Sequence, residues 1–427
     1  MNTKIFPAND PSLRSWIQVD KNSDFPIQNL PFGIFKTKNT APRVGVAIGE
    51  NVIDIAELEA AGLLNEIKFD TAALRKSSLN HLISQGKTVT RALRQRISDL
   101  LNANNNELQN KDAIEAKAIF KMQDVQMLMP VEIRDYTDFY SSIDHATNVG
   151  TMFRDPQNAL LPNWKHLPVA YHGRASSITV SGTNFHRPKG QTKPANSDKP
   201  VFGATKLLDF ELETAFIIGK QTQPGDSIST ADADEYIFGM VLFNDWSARD
   251  IQTWEYVPLG PFLAKNFAST VSPWVITLDA LEPFRLAGYK QDPPVLPYLQ
   301  YTGEKNIDID LDVFIQPKDQ SETKVSRSNY KFMYWTMEQQ LAHHTVNGCN
   351  INVGDMMASG TISGPTPDSF GSMLELTWKG SKPIKMADGS ERKFIHDGDT
   401  VIIRGYSEKN GIRIGFGECK AEVLLAK

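Results

Sequence analysis

Beyond about Ala118 the chain is built from short runs rich in Val, Ile, Phe and Thr: SSITVSG, LLDFELETAFIIG, YIFGMVLFND, SPWVITLDAL, IDIDLDVFIQ and DTVIIRGY. Branched and aromatic runs of this length suit a pleated sheet. Turn dipeptides such as Ser181-Gly182, Pro224-Gly225 and Asp388-Gly389 separate them. Helical periodicity is confined to a few segments, the clearest being TMEQQLAHHTVNG. Because strands do not alternate with helices, a doubly wound parallel sheet is disfavoured. The pattern predicts a mainly β protein whose large domain is a sandwich, barrel or roll.

The first hundred or so residues read as a separate small module. PRVGVAIGENVIDIAEL predicts two short strands joined by Gly49-Glu50-Asn51. HLISQGKTVTRALRQRISDLL then carries apolar residues at helical spacing. NANNNELQNKDAIEAKA is polar enough to be an exposed helix or a solvated connector, and the connector is the expectation. The predicted division is residues 1–118 and 119–427 of the 427-residue chain.

Charge and cysteine content narrow the function classes. Lys and Arg number 45 against 50 Asp and Glu, a formal charge of -5, with no basic stripe of the kind nucleic acid requires. Cys349 and Cys419 supply neither a disulfide framework nor a CxxC zinc pair. The opening MNTKIFPANDPSLRSWIQVD lacks a basic segment followed by an apolar run, and no stretch reaches the ~20 apolar residues that span a bilayer. The expectation is a soluble, cytoplasmic protein with no membrane partner.

Acidic residues recur where chemistry is plausible. In DFELETAFIIG, strand alternation puts Asp209, Glu211 and Glu213 on one face and Phe210, Leu212, Thr214 and Phe216 on the other. That is either a sheet with one wet face or a pair of carboxylates, about 6.6 Å apart along a strand, converging on a hard cation. FGMVLFNDWSARD ends an apolar strand in Asp245, and Arg249, Gln252, Tyr256 and Lys265 follow among aromatics and turns. DYTDFYSSIDHATNVGTMFR, from Asp135 to Arg154, fits neither helix nor strand periodicity and reads as a loop; it holds Asp138 and His145, and on local evidence that histidine is as readily a satisfied structural one as a functional one. With Asp138, Glu211, Glu213 and Asp245 in play and no cysteine or paired-histidine motif, all-oxygen ligation points to Ca²⁺ or Mg²⁺. ASGTISGPTPDSFGSMLEL adds a Gly- and Ser-rich segment with Thr361 and Glu375, matching neither the P-loop nor the dinucleotide pattern. There is no GxSxG elbow of a serine hydrolase.

Taken together, DYTDFYSSIDHATNVGTMFR, LPNWKHLPVAYHGRASSI, LLDFELETAF, FGMVLFNDWSARDIQTWEYVPLGPFLAKNF and the Gly-rich segment resemble the fumarylacetoacetate hydrolase family. The resemblance runs from about Asn29 to the C-terminus. It implies a homodimer with an SH3-like N-terminal barrel and a C-terminal β-roll. It implies hydrolysis of 4-fumarylacetoacetate, a dicarboxylate diketone, to fumarate and acetoacetate, the last step of tyrosine and phenylalanine catabolism. Carried over residue by residue, Asp138, Glu211, Glu213 and Asp245 are the calcium ligands. Asp245, Lys265 and a hydroxyl four residues on form a magnesium site; that hydroxyl is Ser269, where the family pattern has threonine. His145 is the general base and Glu375 its orienting carboxylate. Arg249, Gln252 and Lys265 stabilise the oxyanion and leaving group, while Tyr140, Arg154, Tyr171, Gln252, Tyr256 and Thr361 bind substrate. A related acylpyruvate hydrolase, decarboxylase or hydratase, or a non-catalytic metal-binding protein on the same scaffold, are the alternatives.

Overall fold

The computed structural model describes residues 6–427. Met1 to Ile5, which open the segment read above for a secretory signal, lie outside the described residues. The expected N-terminal hairpin forms from Arg43–Ile48 and Asn51–Asp54, with Ile48 opposite Asn51. Gly49 takes φ +52 in its tight turn, a conformation that suits glycine. These strands lie in a five-stranded sheet ordered Ile119–Lys121, Asn51–Asp54, Arg43–Ile48, Phe32–Lys36, Gln126–Leu128. The helix Lys87–Leu101 packs Leu93, Ile97, Leu100 and Leu101 inward. The expected solvated connector is more ordered than its polarity implies: Leu108 is fully buried, and Asp112–Ala118 is a helix delivering the chain to the Ile119 strand. One leucine supplies an anchor that overall polarity conceals.

The second sheet has eight strands. Its path runs Ala170–Gly173, Tyr136–Phe139, Met356–Ala358, Leu212–Ile218, Ile237–Asp245, Ser269–Val271, Ile178–Val180, with Ile276–Thr277 also pairing the long central strand. All nine residues of Ile237–Asp245 are buried, because both faces are covered. Val241 and Phe243 join the N-terminal core with Ala215 and Ile217. Met240 and Leu242 face the other way, into a core shared with Leu311, Val313, Val401 and Ile403. Those last residues belong to a third sheet, Thr323–Asn329, Asp310–Gln316, Thr400–Lys409, Ile412–Leu424, Phe185–His186. Two-sided burial explains why the central runs are continuously apolar rather than alternating. The mainly β reading holds.

Two segments differ from expectation. SPWVITLDAL supplies only the Ile276–Thr277 strand before Thr277 caps a helical turn, Leu278–Leu281, by accepting the Ala280 N–H. The Asp135–Arg154 stretch is not a loop: it is the Tyr136–Phe139 strand followed by the helix Ile143–Phe153, capped by the Ser142 hydroxyl. Neither period registers in the sequence because the strand is four residues long and the chain changes period at Ser142. TMEQQLAHHT forms the expected helix, with Thr336 and Gln339 completing a capping box.

Candidate active site and metal centre

The chain changes partners in the middle of DFELETAF. Leu208–Asp209 pairs with Ser247–Ala248, whereas Leu212 onward pairs with Ile237–Asp245. Asp209, Glu211 and Glu213 are all buried, so the wet-face reading is overturned. Asp209 turns to Arg249, with Nε to Oδ2 at 2.8 Å. Glu211 and Glu213 instead meet Asp138 from the Tyr136 strand and Asp245 from the end of the central strand. One carboxylate oxygen from each of the four lies within 4.8 Å of the others. The Met356–Ala358 strand brings Asp138 there, pairing Ala358 beside Asp138 on one edge and beside Ala215 on the other.

Like charges this close need compensation. Lys265 Nζ donates to Glu211 and to Asp245 Oδ2, the latter at 2.7 Å. Arg249 Nη1 lies 2.8 Å from Glu211 Oε1. Burial raises the Glu211 carboxyl, but Lys265 and Arg249, helped by His145, outweigh it and hold its pKa down to about 2. Its neighbours go the other way. Burial, then Asp245, pushes Asp138 far above the carboxylate range. Burial, then Asp138 and Asp245, does the same to Glu213, and burial raises Asp245 despite Lys265.

The donor set fits a hard cation. Every candidate ligand atom is a carboxylate oxygen, and Asp138 Oδ1 and Glu213 Oε1 are buried without a hydrogen-bond partner. Glu213 Oε2 is occupied by the Gly360 N–H at 3.0 Å. Ser269 Oγ donates to Asp245 Oδ1 at 3.0 Å, and Tyr171 OH to Asp245 Oδ2 at 3.3 Å. Lys265 stays protonated because Asp245 and Glu211 outweigh the effect of its burial. A protonated lysine side chain has no lone pair to offer a metal.

Beside this cluster, His145 Nδ1 sits 2.7 Å from Glu375 Oε2, and both residues are buried. His145 lies in the first turn of the Ile143 helix, and Glu375 in a short helix, Met373–Leu376, whose cap is Ser372. Asn148 Nδ2 donates to Glu375 Oε1 at 2.9 Å, Ser372 Oγ to Oε2 at 2.8 Å, and Ser363 Oγ reaches both oxygens at 2.9 Å. Burial raises the Glu375 carboxyl, yet His145 and these hydrogen bonds hold it below the usual range. It is therefore an ionised acceptor with its lone pairs engaged.

Sequence reading did not single out Asn148, Ser363 or Ser372. The signals were Ser372-x-x-Glu375, a capping-box spacing, and Asn148 three residues after His145, on one helix face. Other expected residues lie at varying distance from the cluster. Tyr140 packs edge-on to His145 with ring centroids 5.3 Å apart. Gln252 Oε1 accepts from Arg249 Nη1 at 3.2 Å. Thr361 is buried on the segment that carries Gly360. Arg154 instead donates to the Ala159 carbonyl, at 2.7 Å from Nη2, and Tyr256 is 52 % exposed. Neither touches the cluster here.

The site thus pairs a buried carboxylate cage that could hold a metal ion with a histidine oriented by a carboxylate. Residues 28–130 match the family model for the fumarylacetoacetase N-terminal region, and residues 135–424 match that for the fumarylacetoacetate (FAA) hydrolase C-terminal region. The chain belongs to the fumarylacetoacetate hydrolase family. A fumarylacetoacetase from Dictyostelium discoideum is 53% identical, covering 97% of this chain and 98% of that protein. The Homo sapiens fumarylacetoacetase is 51% identical over 96% of this chain and 99% of its own. A solved fumarylacetoacetate hydrolase from psychrophilic Exiguobacterium antarcticum superposes with a TM-score of 0.51 at 16% identity, covering 93% of this chain and 100% of that one. At that identity the likeness concerns the fold alone.

Proposed function

We propose that this enzyme cleaves 4-fumarylacetoacetate with water to fumarate and acetoacetate, the closing step of tyrosine and phenylalanine catabolism. The observation that carries the reading is the buried His145–Glu375 pair standing against the four-carboxylate cluster, in a chain about half identical to fumarylacetoacetases over nearly its full length.

In this reading Nε2 of His145 takes a proton from water, since Nδ1 is engaged by Glu375. Glu375 fixes that tautomer and stabilises the imidazolium that forms. The water oxygen adds to one carbonyl, and the carbon–carbon bond then breaks. Its electron pair leaves with the acetoacetate fragment, which is subsequently protonated. Arg249, Gln252 and Lys265 donate where negative charge develops, each lost donor costing about 3 kcal/mol. When bound, a divalent cation held by Asp138, Glu211, Glu213 and Asp245 supplies Lewis-acid polarisation of the diketone oxygens. We assign Ca²⁺ to that cage, which suits carboxylates in loose geometry, and Mg²⁺ to a second site using Asp245 and Ser269. Lys265 belongs to the second site as a neighbouring charge. Tyr140, Arg154, Tyr171, Tyr256 and Thr361 bind the dicarboxylate substrate, with Arg154 leaving the Ala159 carbonyl to clamp a carboxylate.

The same reading gives a cytoplasmic homodimer of two-domain subunits. The SH3-like N-terminal domain is assigned to residues 1–118 and the β-roll to residues 119–427, the first strands of the latter, Ile119–Lys121 and Gln126–Leu128, pairing back into the N-terminal sheet. The five-stranded sheet supports the first assignment and the two stacked C-terminal sheets the second. No helix among the described residues is long and apolar enough to cross a membrane.

The test is loss of the substrate's ultraviolet absorbance, before and after chelation and with calcium restored. Cleavage that stops with chelator and returns with calcium is expected. Folded protein that leaves fumarylacetoacetate intact but hydrolyses acylpyruvates would overturn the substrate assignment.

A further inference from the structure

Asp209 takes no part in the chemistry above, yet it is completely buried with both oxygens occupied. Oδ2 accepts from Arg249 Nε at 2.8 Å and from the Leu374 N–H at 3.0 Å. Oδ1 accepts the Met373 N–H at 2.6 Å. One carboxylate thus ties the arginine at the metal cage to the backbone just before Glu375. Its place is fixed by the pairing of Leu208–Asp209 with Ser247–Ala248, where Asp209 lies opposite Ser247, two residues before Arg249.

The consequence lies at the far end of the guanidinium. With Nε on Asp209 and Nη1 on Glu211 and Gln252, the planar fork has no rotational freedom left. Its remaining nitrogen, Nη2, is buried and has no partner. A buried donor left unpaired carries its full desolvation penalty, which makes sense if a ligand oxygen takes it up. Asp209 therefore sets the direction of the free donor and, through Met373 and Leu374, the position of Glu375 and hence of His145.

We propose that Asp209 is a positioning residue which locks the unpaired Arg249 Nη2 donor in register with the His145–Glu375 pair. Proton removal from water and charge stabilisation on the substrate must happen in the same small volume. A single carboxylate bridging both groups makes their separation a property of the fold rather than of two independent side chains. The inference rests on the hydrolase reading above.

The experiment measures kcat and KM on fumarylacetoacetate with saturating calcium for Asp209→Asn, Arg249→Lys and the double variant of the full chain. Calcium titration and thermal unfolding of each accompany the kinetics. Asp209→Asn is expected to lower kcat on the order of 10²-fold, with KM and calcium affinity within about three-fold. The double variant should be no slower than the slower single, since residues acting as one unit are not additive. A purely structural role would move the unfolding midpoint and leave the two losses independent. Should Asp209→Asn fail to fold, Asp209→Glu keeps the charge but shifts it by one methylene. It should lose kcat at a native unfolding midpoint. Multiplicative losses, or full kcat in Asp209→Asn or Asp209→Glu, would overturn the positioning role while leaving the hydrolase intact. A wild-type chain inactive on fumarylacetoacetate would overturn both.

Discussion

Replacing Glu375 by Gln tests the site at its least replaceable point. The two side chains have the same shape, so packing survives while the charge and half of the acceptor capacity go. A unit charge pair at the observed 2.7 Å separation is worth about 6 kcal/mol at an effective dielectric of ~20. Compensation by neighbouring groups makes that an upper bound. Half of it, about 3 kcal/mol, already corresponds to on the order of 10²-fold in rate. A second loss adds to the first. Asn148 and the Ser363 hydroxyl aim at one oxygen of Glu375, and His145, Ser372 and Ser363 at the other. The amide nitrogen of the introduced glutamine must therefore face a donor at either position, and if it faces Nδ1 the imidazole is driven to the wrong tautomer. The expected outcome is a kcat lower by roughly 10²–10⁴-fold with little change in KM. Stopped-flow or steady-state loss of substrate absorbance reads kcat, and thermal unfolding controls for the fold. A variant with kcat within about three-fold of wild type and a native midpoint would refute the reasoning, because neither imidazolium stabilisation nor tautomer control could then matter.

Cation binding should be linked to pH with a definite sign. Asp138, Glu213 and Asp245 carry raised pKa values in the folded, metal-free site. Their contribution to stability is present below the unfolded carboxylate pKa and is lost as pH rises through the folded values. Calcium should therefore raise the unfolding midpoint more at pH 8 than at pH 6 and release protons on binding; calorimetry in buffers of different ionisation enthalpy that finds none released would contradict this. Gly360→Ala should lose both stability and calcium affinity: the backbone there has φ +75, and a Cβ would meet the Phe139 carbonyl oxygen at 2.2 Å. Relieving that clash moves the N–H off Glu213, at a cost of about 2 kcal/mol or more in urea unfolding. An unchanged urea midpoint would show that the loop tolerates the side chain.

Much of this protein could be read from its residues, and the division has a physical basis. Strand content, the hairpin at Gly49, the helix after Thr336 and the oxygen-only donor set depend on local periodicity, turn chemistry and residue type, which a linear chain carries openly. The His145–Glu375 pairing followed from resemblance rather than spacing, since contact across 230 residues leaves no local trace. What only tertiary structure decided begins with burial. Asp209, Glu211 and Glu213 alternate like the wet face of a sheet, and all three become buried because sheets and loops close over them, Glu211 and Glu213 in the carboxylate cluster. The Asp135–Arg154 stretch hid its strand and helix because the strand is only four residues long and the period changes at Ser142, and only pairing with Met356–Ala358 and Ala170–Gly173 makes Tyr136–Phe139 a strand. Asp209 parted from its neighbours because the chain exchanged pairing partners between residues 209 and 212. The sequence determined which groups were available and of what chemistry. Long-range pairing alone decided which of them share a buried volume, where charge separation is costly and hence useful.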